Sequence, residues 1–158
     1  MPHFAPGDLA EVRLPDGFAY LQVTHLHPAY GEIVRALPGV HGQRPDLATL
    51  VCEPSPFVAM VALSAAVETG AIKARRVEGL SVPPGCRRFP TFQMPILDKH
   101  DGVRGAVAYR WLWSGDGLTY ATDDCPHAAE LPLREIMPIR AVLARLASAS
   151  GPGRVTEG

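Results

Sequence analysis

The clearest pattern of apolar and polar positions lies near the start of the chain. Residues 9–14 and 18–23 flank a Leu-Pro-Asp-Gly turn, and the first run alternates with a period of two. Such alternation is typical of β-strands, and the Asp-Gly pair can supply the positive φ that a tight turn needs. The pattern predicts a β-hairpin in which Glu11 and Arg13 share a solvent-facing side. Its second strand is apolar on both sides, so we expect it to be central or covered on both faces.

Three later segments have the composition of strands. Residues 30–37 end at a Pro-Gly pair, and residues 47–53 form the next predicted strand. Residues 57–63 are apolar without alternation, as expected of a buried strand. Residues 39–46 are rich in turn formers and predict an exposed loop.

The middle of the chain predicts one short helix that packs on the sheet. Ser64 is suited to be its N-cap, and Gly70 stands where a C′ glycine is expected. A helix that ends near Glu68 is too short to be stable alone. Residues 72–77 then resume an extended segment, and a loop rich in proline and glycine follows over residues 79–90.

The second half of the chain predicts another hairpin and a terminal helix. Residues 105–113 alternate and place four large side chains on one face: Val107, Tyr109, Trp111 and Trp113. A Ser-Gly-Asp-Gly turn follows, and residues 118–122 return. Near the C-terminus, Pro138 fits the first helical position of a helix with one apolar stripe: Met137, Ile139, Val142, Leu143 and Leu146.

These elements predict one α+β domain over residues 1–149, followed by a flexible tail over residues 150–158. We expect a mainly antiparallel, strongly bent, SH3-like sheet or partly open barrel with one short helix. We expect the C-terminal helix to cover an open edge of the sheet, because unpaired edges invite aggregation.

Composition narrows the class of protein without naming a function. The 158 residues are 47% hydrophobic and 20% charged, which indicates a packed core, and the formal net charge of −1 gives no general attraction to nucleic acid or membrane. The three cysteines form no disulfide framework, and the N-terminus lacks signal-peptide features. We therefore expect a cytoplasmic protein without a membrane span. No sequence motif for a nucleotide, a cofactor or a catalytic nucleophile occurs, so no cofactor is expected.

The densest group of potential metal ligands lies in one short stretch: Asp123, Asp124, Cys125 and His127. A metal-binding protein or a metal-dependent enzyme would need further ligands, such as His100 or Asp101. The spacing matches no zinc pattern, so we favour a turn capped by aspartate with a packed cysteine. His25 and His27 share one side of a strand end, where a solvent-facing pair is the more common arrangement.

Two arginine pairs flank the loop that is rich in proline: Arg75, Arg76, Arg87 and Arg88. Together they could bind phosphates and make the domain a nucleic-acid-binding barrel. The chain as a whole is slightly acidic, so we favour solvated charges and regard nucleic acid as the less favoured partner.

A surface for a basic protein partner is the third possibility. Between residues 98 and 130, six acidic side chains accompany three basic ones. Tryptophans beside such acids would suit a basic partner, and these positions form the predicted surface: Asp98, Asp101, Tyr109, Trp111, Trp113, Asp116, Asp123 and Asp124. The alternative is that both tryptophans belong to the core and that the acids are ordinary turn residues.

The opening residues also carry a family resemblance. Gly7-Asp8, then the turn at residues 14–17, then Tyr20 and Val23 resemble the start of bacterial immunity proteins from polymorphic toxin systems. The apolar strand, short helix and loop that follow have a similar plan, so the resemblance covers residues 1 to about 90. The sequence departs from the family where Leu21-Gln22 precedes Val23 instead of a glycine. It departs again where Ile72-Lys73-Ala74 replaces an expected tryptophan.

What the resemblance implies is a protein without catalytic residues. Such a protein would bind a cognate toxin and block the toxin's active site or its contact with substrate. No functional residue of the family matches this chain position by position, so none is carried over. Partner identity and oligomeric state stay open.

Overall fold

The structure is a computed structural model that describes residues 3–94, 110–115, 117–121 and 131–149. The chain forms two compact units, of which the first comprises residues 1–88 with 136–158 and the second residues 89–135. The prediction of a single domain over residues 1–149 stays a prediction. The predicted tail, residues 150–158, lies outside the described residues.

The first unit is built on a five-stranded antiparallel sheet. Its strands are β1 (Leu9–Leu14), β2 (Gly17–His27), β3 (Gly31–Ala36), β4 (Val58–Val61) and β5 (Ala74–Val77). Their spatial order is β4-β3-β2-β1-β5, so the first strand pairs with both the second and the fifth. This arrangement confirms the predicted α+β class and is consistent with a small, bent sheet.

The helices of the described chain are α1 (Leu47–Leu50), α2 (Leu63–Glu68) and α3 (Ile139–Ala149), with one short 3-10 turn at Pro84–Cys86. The prediction of a strand over residues 47–53 was wrong. Leu47, Leu50 and Val51 recur at helical spacing, and the backbone amides of Leu50 and Val51 bond to the carbonyls four residues before them. Leu50 and Val51 are buried in a small core on one face of the sheet, and Leu47 packs against that core.

Helix α2 is capped from a distance instead of by Ser64. The Glu32 carboxylate on β3 accepts the backbone amide of Leu63 at 2.8 Å and the Ser64 hydroxyl at 2.5 Å. A carboxylate at a helix N-terminus satisfies its unpaired amides and complements its dipole. The predicted helix end is confirmed, since Gly70 follows the helix with a φ of +80°.

Side chains pack on both faces of the sheet. The first face supports a core that includes Val12 and Leu21 and reaches Val142 and Leu146 of α3. The second face supports a smaller core of five buried side chains: Leu9, Tyr20, Leu37, Leu50 and Val51. The prediction that β2 is central and covered on both faces is therefore confirmed. The prediction that Glu11 faces solvent was wrong, because the chain from the β3–α1 loop through α1 covers its side of the sheet.

The apolar stripe of α3 packs as predicted, with Val142 and Leu146 buried and its other members partly buried. The edge of β4 is covered by the residues before this helix. Met137 N donates to Met60 O at 2.7 Å, and Ile136 forms an isolated parallel bridge with Met60. Backbone pairing thus closes part of that edge. None of the helices in the described ranges is long and apolar enough to cross a membrane.

The second unit contains a three-stranded antiparallel sheet in the order β6-β7-β8. Its strands are β6 (Phe92–Gln93), β7 (Arg110–Trp113) and β8 (Leu118–Ala121). The predicted second hairpin is confirmed for these residues, with Trp113 opposite Leu118 and Trp111 opposite Tyr120. The start of the predicted strand, residues 105–109, lies outside the described residues.

Candidate functional site

The second face of the sheet brings a group of charged and polar side chains together around Glu11. Glu11 on β1 lies directly opposite Tyr20 on β2 and directly opposite Arg75 on β5. Opposed residues of antiparallel strands project to the same side, so these three side chains meet there. Arg44, from the loop between β3 and α1, completes this group, which we call the Glu11 cluster.

Hydrogen-bond donors surround the Glu11 carboxylate. The Tyr20 hydroxyl donates to Oε2 at 2.9 Å, and Arg44 Nε lies 2.8 Å from Oε2 and 3.0 Å from Oε1. Arg75 Nε donates to Oε1 at 3.2 Å. The Glu11 side chain is only 2% exposed, whereas those of Arg44 and Arg75 are 56% and 57% exposed. The two arginines therefore extend from a buried carboxylate to the surface.

Burial and hydrogen bonding act on the pKa of Glu11 in opposite directions. Burial alone would raise it, but hydrogen bonds from Arg44, Tyr20 and Arg75 outweigh burial, and the pKa is lowered. Burial and the neighbouring Glu11 carboxylate both raise the pKa of Tyr20. At neutral pH the cluster therefore holds one anion, one neutral phenol and two cations. Such a group is suited to binding charge and not to exchanging protons.

A cavity of about 420 Å³ opens beside the cluster. Its lining combines the carboxylate, an aromatic ring and four cationic side chains: Glu11, Arg13, Phe18, Arg44, Lys73, Ala74 and Arg75. The Arg13 and Arg44 guanidinium carbons lie 5.4 Å and 5.0 Å from the centre of the Phe18 ring. Arg13 N also donates to Lys73 O at 2.8 Å, which ties the two cationic positions together through the backbone.

Acid lability is the first expected consequence of the Glu11 cluster. Because the folded-state pKa of Glu11 lies below its ordinary value of 4.5, the carboxylate stabilises the fold fully above that value. The stabilisation is lost as pH falls through the lower, folded-state pKa. We expect urea midpoints measured from pH 7 to pH 3 to fall less steeply in Glu11→Gln than in the wild type. Glu68→Gln, at an exposed position on α2, is the control and should keep the wild-type slope; equal slopes in all three proteins would contradict the assignment.

The second unit presents a different kind of surface. Phe89 and Phe92 pack against Trp113, with ring centroids 5.3 Å and 6.0 Å away, and the Arg134 guanidinium lies 4.1 Å from the Trp113 ring centre. Trp113 is accordingly buried. Trp111, two residues earlier on the same side of β7, is 47% exposed. The two tryptophans thus have different environments, one in the core and one at the surface.

Several predicted site residues lie outside the described residues, so the acidic part of the predicted partner surface and the metal cluster stay predictions: Asp98, His100, Asp101, Tyr109, Asp116, Asp123, Asp124, Cys125 and His127. Within the described ranges, no three side chains of the metal-binding types come together. Both ring nitrogens of His25 are engaged, with Thr24 Oγ1 and Arg87 O each at 2.9 Å. His27 Nδ1 accepts the backbone amide of Ala29 at 3.0 Å.

The four arginines of the two predicted pairs have different environments. Arg75 belongs to the Glu11 cluster, whereas Arg76, the next residue on β5, lies 3.9 Å from Asp8 and pairs with Glu78. Arg87 Nε bonds to the Val82 carbonyl at 2.8 Å, and Arg88 is exposed. The structure therefore places Arg75 and Arg76 on opposite faces of the sheet.

A comparison of the chain with protein-family models, curated proteins and solved structures finds no match. The resemblance of the opening hairpin to immunity proteins therefore stays a prediction.

Sequence reasoning did not single out the Glu11 cluster. One signal was present, since Glu11 alternates with apolar residues and shares its side of β1 with Leu9, which is buried. The contribution of Arg44 had no signal, because it comes from a loop 33 residues farther along the chain.

Proposed function

We propose that this protein is a non-catalytic protein-binding domain of the immunity type, which inhibits a cognate bacterial toxin by covering its active site or substrate-binding surface. The observation that carries the proposal is the exposure of Trp111 on the β7–β8 hairpin. Leu118, on the same side of the hairpin, is also 47% exposed. Large apolar side chains at such a surface are typical of protein interfaces, in which tryptophan is enriched among the residues that dominate affinity.

The surroundings of Trp111 favour tight binding. Trp113, on the same strand, is buried against Phe89 and Phe92, so the strand that carries Trp111 is held by packed aromatic side chains. A side chain on a well-packed strand loses little conformational freedom when a partner covers it, and less of the binding energy is then spent on ordering. An anchor of this kind supports inhibition through a surface contact.

The choice of a toxin as partner rests on the resemblance of residues 1 to about 90 to immunity proteins. The excess of acids between residues 98 and 130 favours a partner with a basic surface. Electrostatic attraction of that kind would speed association and lower the affinity for acidic competitors.

Growth protection tests the proposal directly. The protein encoded next to this one, which the proposal expects to be a toxin, is expressed from an inducible promoter, alone or with this protein, and affinity is measured on the purified pair. We expect the wild type to protect the cells, and Trp111→Ala to weaken the complex by about 2 kcal/mol, or roughly thirtyfold.

Leu26→Ala is the matched control, because Leu26 is a 53% exposed apolar side chain on β2 of the first unit. It should bind and protect like the wild type. Each variant is first shown to have the thermal midpoint of the wild type. Absence of protection by the wild type, or equal affinities of the two variants, would refute the proposal.

A further inference from the structure

We propose that the cavity beside Glu11 binds a small phosphate monoester through Arg13, Arg44, Lys73 and Arg75. This inference concerns the first unit and is independent of the proposed toxin-binding surface in the second. It rests on the charge in the cavity, on the way in which two guanidinium groups are held, and on the size of the cavity.

The side chains that line the cavity carry a net positive charge, unlike the protein as a whole. Four cationic side chains line it against the single Glu11 carboxylate, although the whole protein has a formal net charge of −1. Cations that crowd one concave surface repel each other and lower stability unless an anion is bound. A dianionic monoester neutralises more of this surplus than the single charge of a phosphodiester, so a monoester is the better match.

Glu11 holds two of the guanidinium groups in a geometry suited to an oxyanion. Arg44 and Arg75 both bond to Glu11 through Nε. In the described part of the chain, their terminal nitrogens make no further hydrogen bond, and both side chains are more than half exposed. Each guanidinium group is held through Nε, and its terminal nitrogens are open to solvent. Nitrogens in this arrangement can bind phosphate oxygens in a bidentate manner.

The remaining lining residues restrict and complete the site. Phe18 lies within cation–π distance of both Arg13 and Arg44, which limits the freedom of these two guanidinium groups. Lys73 adds a compact positive charge, and the hydrogen bond from Arg13 N to Lys73 O holds its backbone in place. The volume of about 420 Å³ is within the range of small-molecule sites, roughly 300–1,000 Å³, and can hold a sugar phosphate.

Titration calorimetry with ribose 5-phosphate tests the inference on the full chain. We expect the wild type to bind it with a Kd below about 1 mM, and Arg75→Gln to bind at least about tenfold more weakly. Arg88→Gln removes an exposed arginine outside the cavity and should leave the affinity unchanged. Lys73→Gln, which leaves the hydrogen bonds of Glu11 intact, should weaken binding in the same direction.

Two further binding measurements distinguish a phosphate monoester from other phosphate-containing ligands. Inorganic phosphate should compete with ribose 5-phosphate, because the phosphoryl group carries the recognition. A single-stranded oligonucleotide without terminal phosphates should bind more weakly than the monoester. No binding of ribose 5-phosphate to the wild type, equal affinities of Arg75→Gln and Arg88→Gln, or a preference for the oligonucleotide would each overturn the inference. Failure here would leave growth protection by the Trp111 surface unaffected.

Discussion

Replacing Arg35 with leucine is expected to lower the free energy of unfolding by about 4 kcal/mol, a large part of the roughly 5–15 kcal/mol that stabilises a typical domain. Arg35 on β3 is only 2% exposed, and its guanidinium group is bonded on every nitrogen. It donates to Gln22 Oε1 at 2.8 Å and to Ser55 Oγ at 2.9 Å. It also donates to Glu53 O at 3.2 Å and to Val51 O.

The buried charge of Arg35 is solvated by neutral groups. No carboxylate among the described residues lies within ion-pair distance of it. Burial lowers the pKa of Arg35, since the charged form loses contact with water. A leucine fills part of the volume but removes the donors of two buried acceptors, Gln22 Oε1 and Val51 O. Each unpaired buried group costs about 1–3 kcal/mol.

The destabilisation caused by removing the Arg35 guanidinium group should extend beyond residues 51–55. Gln22, which is fully buried, accepts from Arg35 and donates through Nε2 to Gly7 O and to Ser81 O, both at 3.1 Å. Through this one side chain, Arg35 is linked to two further loops. Removing the guanidinium group therefore weakens a network that joins loops from three parts of the chain.

Urea unfolding at pH 7 measures the effect. Arg88→Leu is the matched control, because it removes an exposed arginine and should change the unfolding free energy by less than about 0.5 kcal/mol. Arg35→Lys keeps the charge but cannot reach all four acceptors, so it should fall between the wild type and Arg35→Leu. An Arg35→Leu protein within about 1 kcal/mol of the wild type would contradict this account.

The second large effect is expected for Gly17→Ala, with a loss of about 3 kcal/mol. Gly17 follows the opening turn with a φ of +145°, and a Cβ there would lie 2.3 Å from the His41 carbonyl oxygen. That same oxygen accepts the backbone amide of Phe18 at 2.8 Å, and His41 N bonds back to Phe18 O at 2.8 Å. Either the hairpin or the segment bonded to it would have to move.

Gly70→Ala is the comparison at a positive φ without a steric clash. Gly70 has a φ of +80°, and a Cβ there would meet nothing within 4 Å, so only the strain of about 1 kcal/mol is expected. The difference in unfolding free energy between the two variants contains the close approach of the His41 carbonyl and the higher backbone cost of a φ of +145° at Gly17. Equal losses in the two variants would show that backbone conformation alone accounts for the effect.

The opening hairpin was predictable because its causes are local. Alternation sets which side chains share a face, and the Pro15–Asp16 turn joins strands in which Leu14 lies opposite Gly17. Within this turn only Gly17 has a positive φ, and every described residue with a positive φ is a glycine. The apolar stripe of α3 was predictable for the same reason, because its period depends only on neighbours within two turns.

The error at α1 shows where local patterns fail. Residues 47–53 are a short apolar run, and so short a run fits a strand as well as a helix. The choice between them depends on the surface that the run must cover. Here Leu50 and Val51 pack on Leu9 and Tyr20, which lie about 30 to 40 positions earlier in the chain.

The two hairpins, the C-terminal helix and the α+β class were thus predictable from local patterns, because turn chemistry and hydrophobic period act over a few residues. Long-range packing sets the burial of Glu11 and Arg35, the capping of α2 by Glu32, and the exposure of Trp111 beside a buried Trp113. Each of these outcomes depends on a partner that is distant in the chain. The burial and charge environment of a side chain are set by whichever segment folds over it, and a linear pattern does not contain that information.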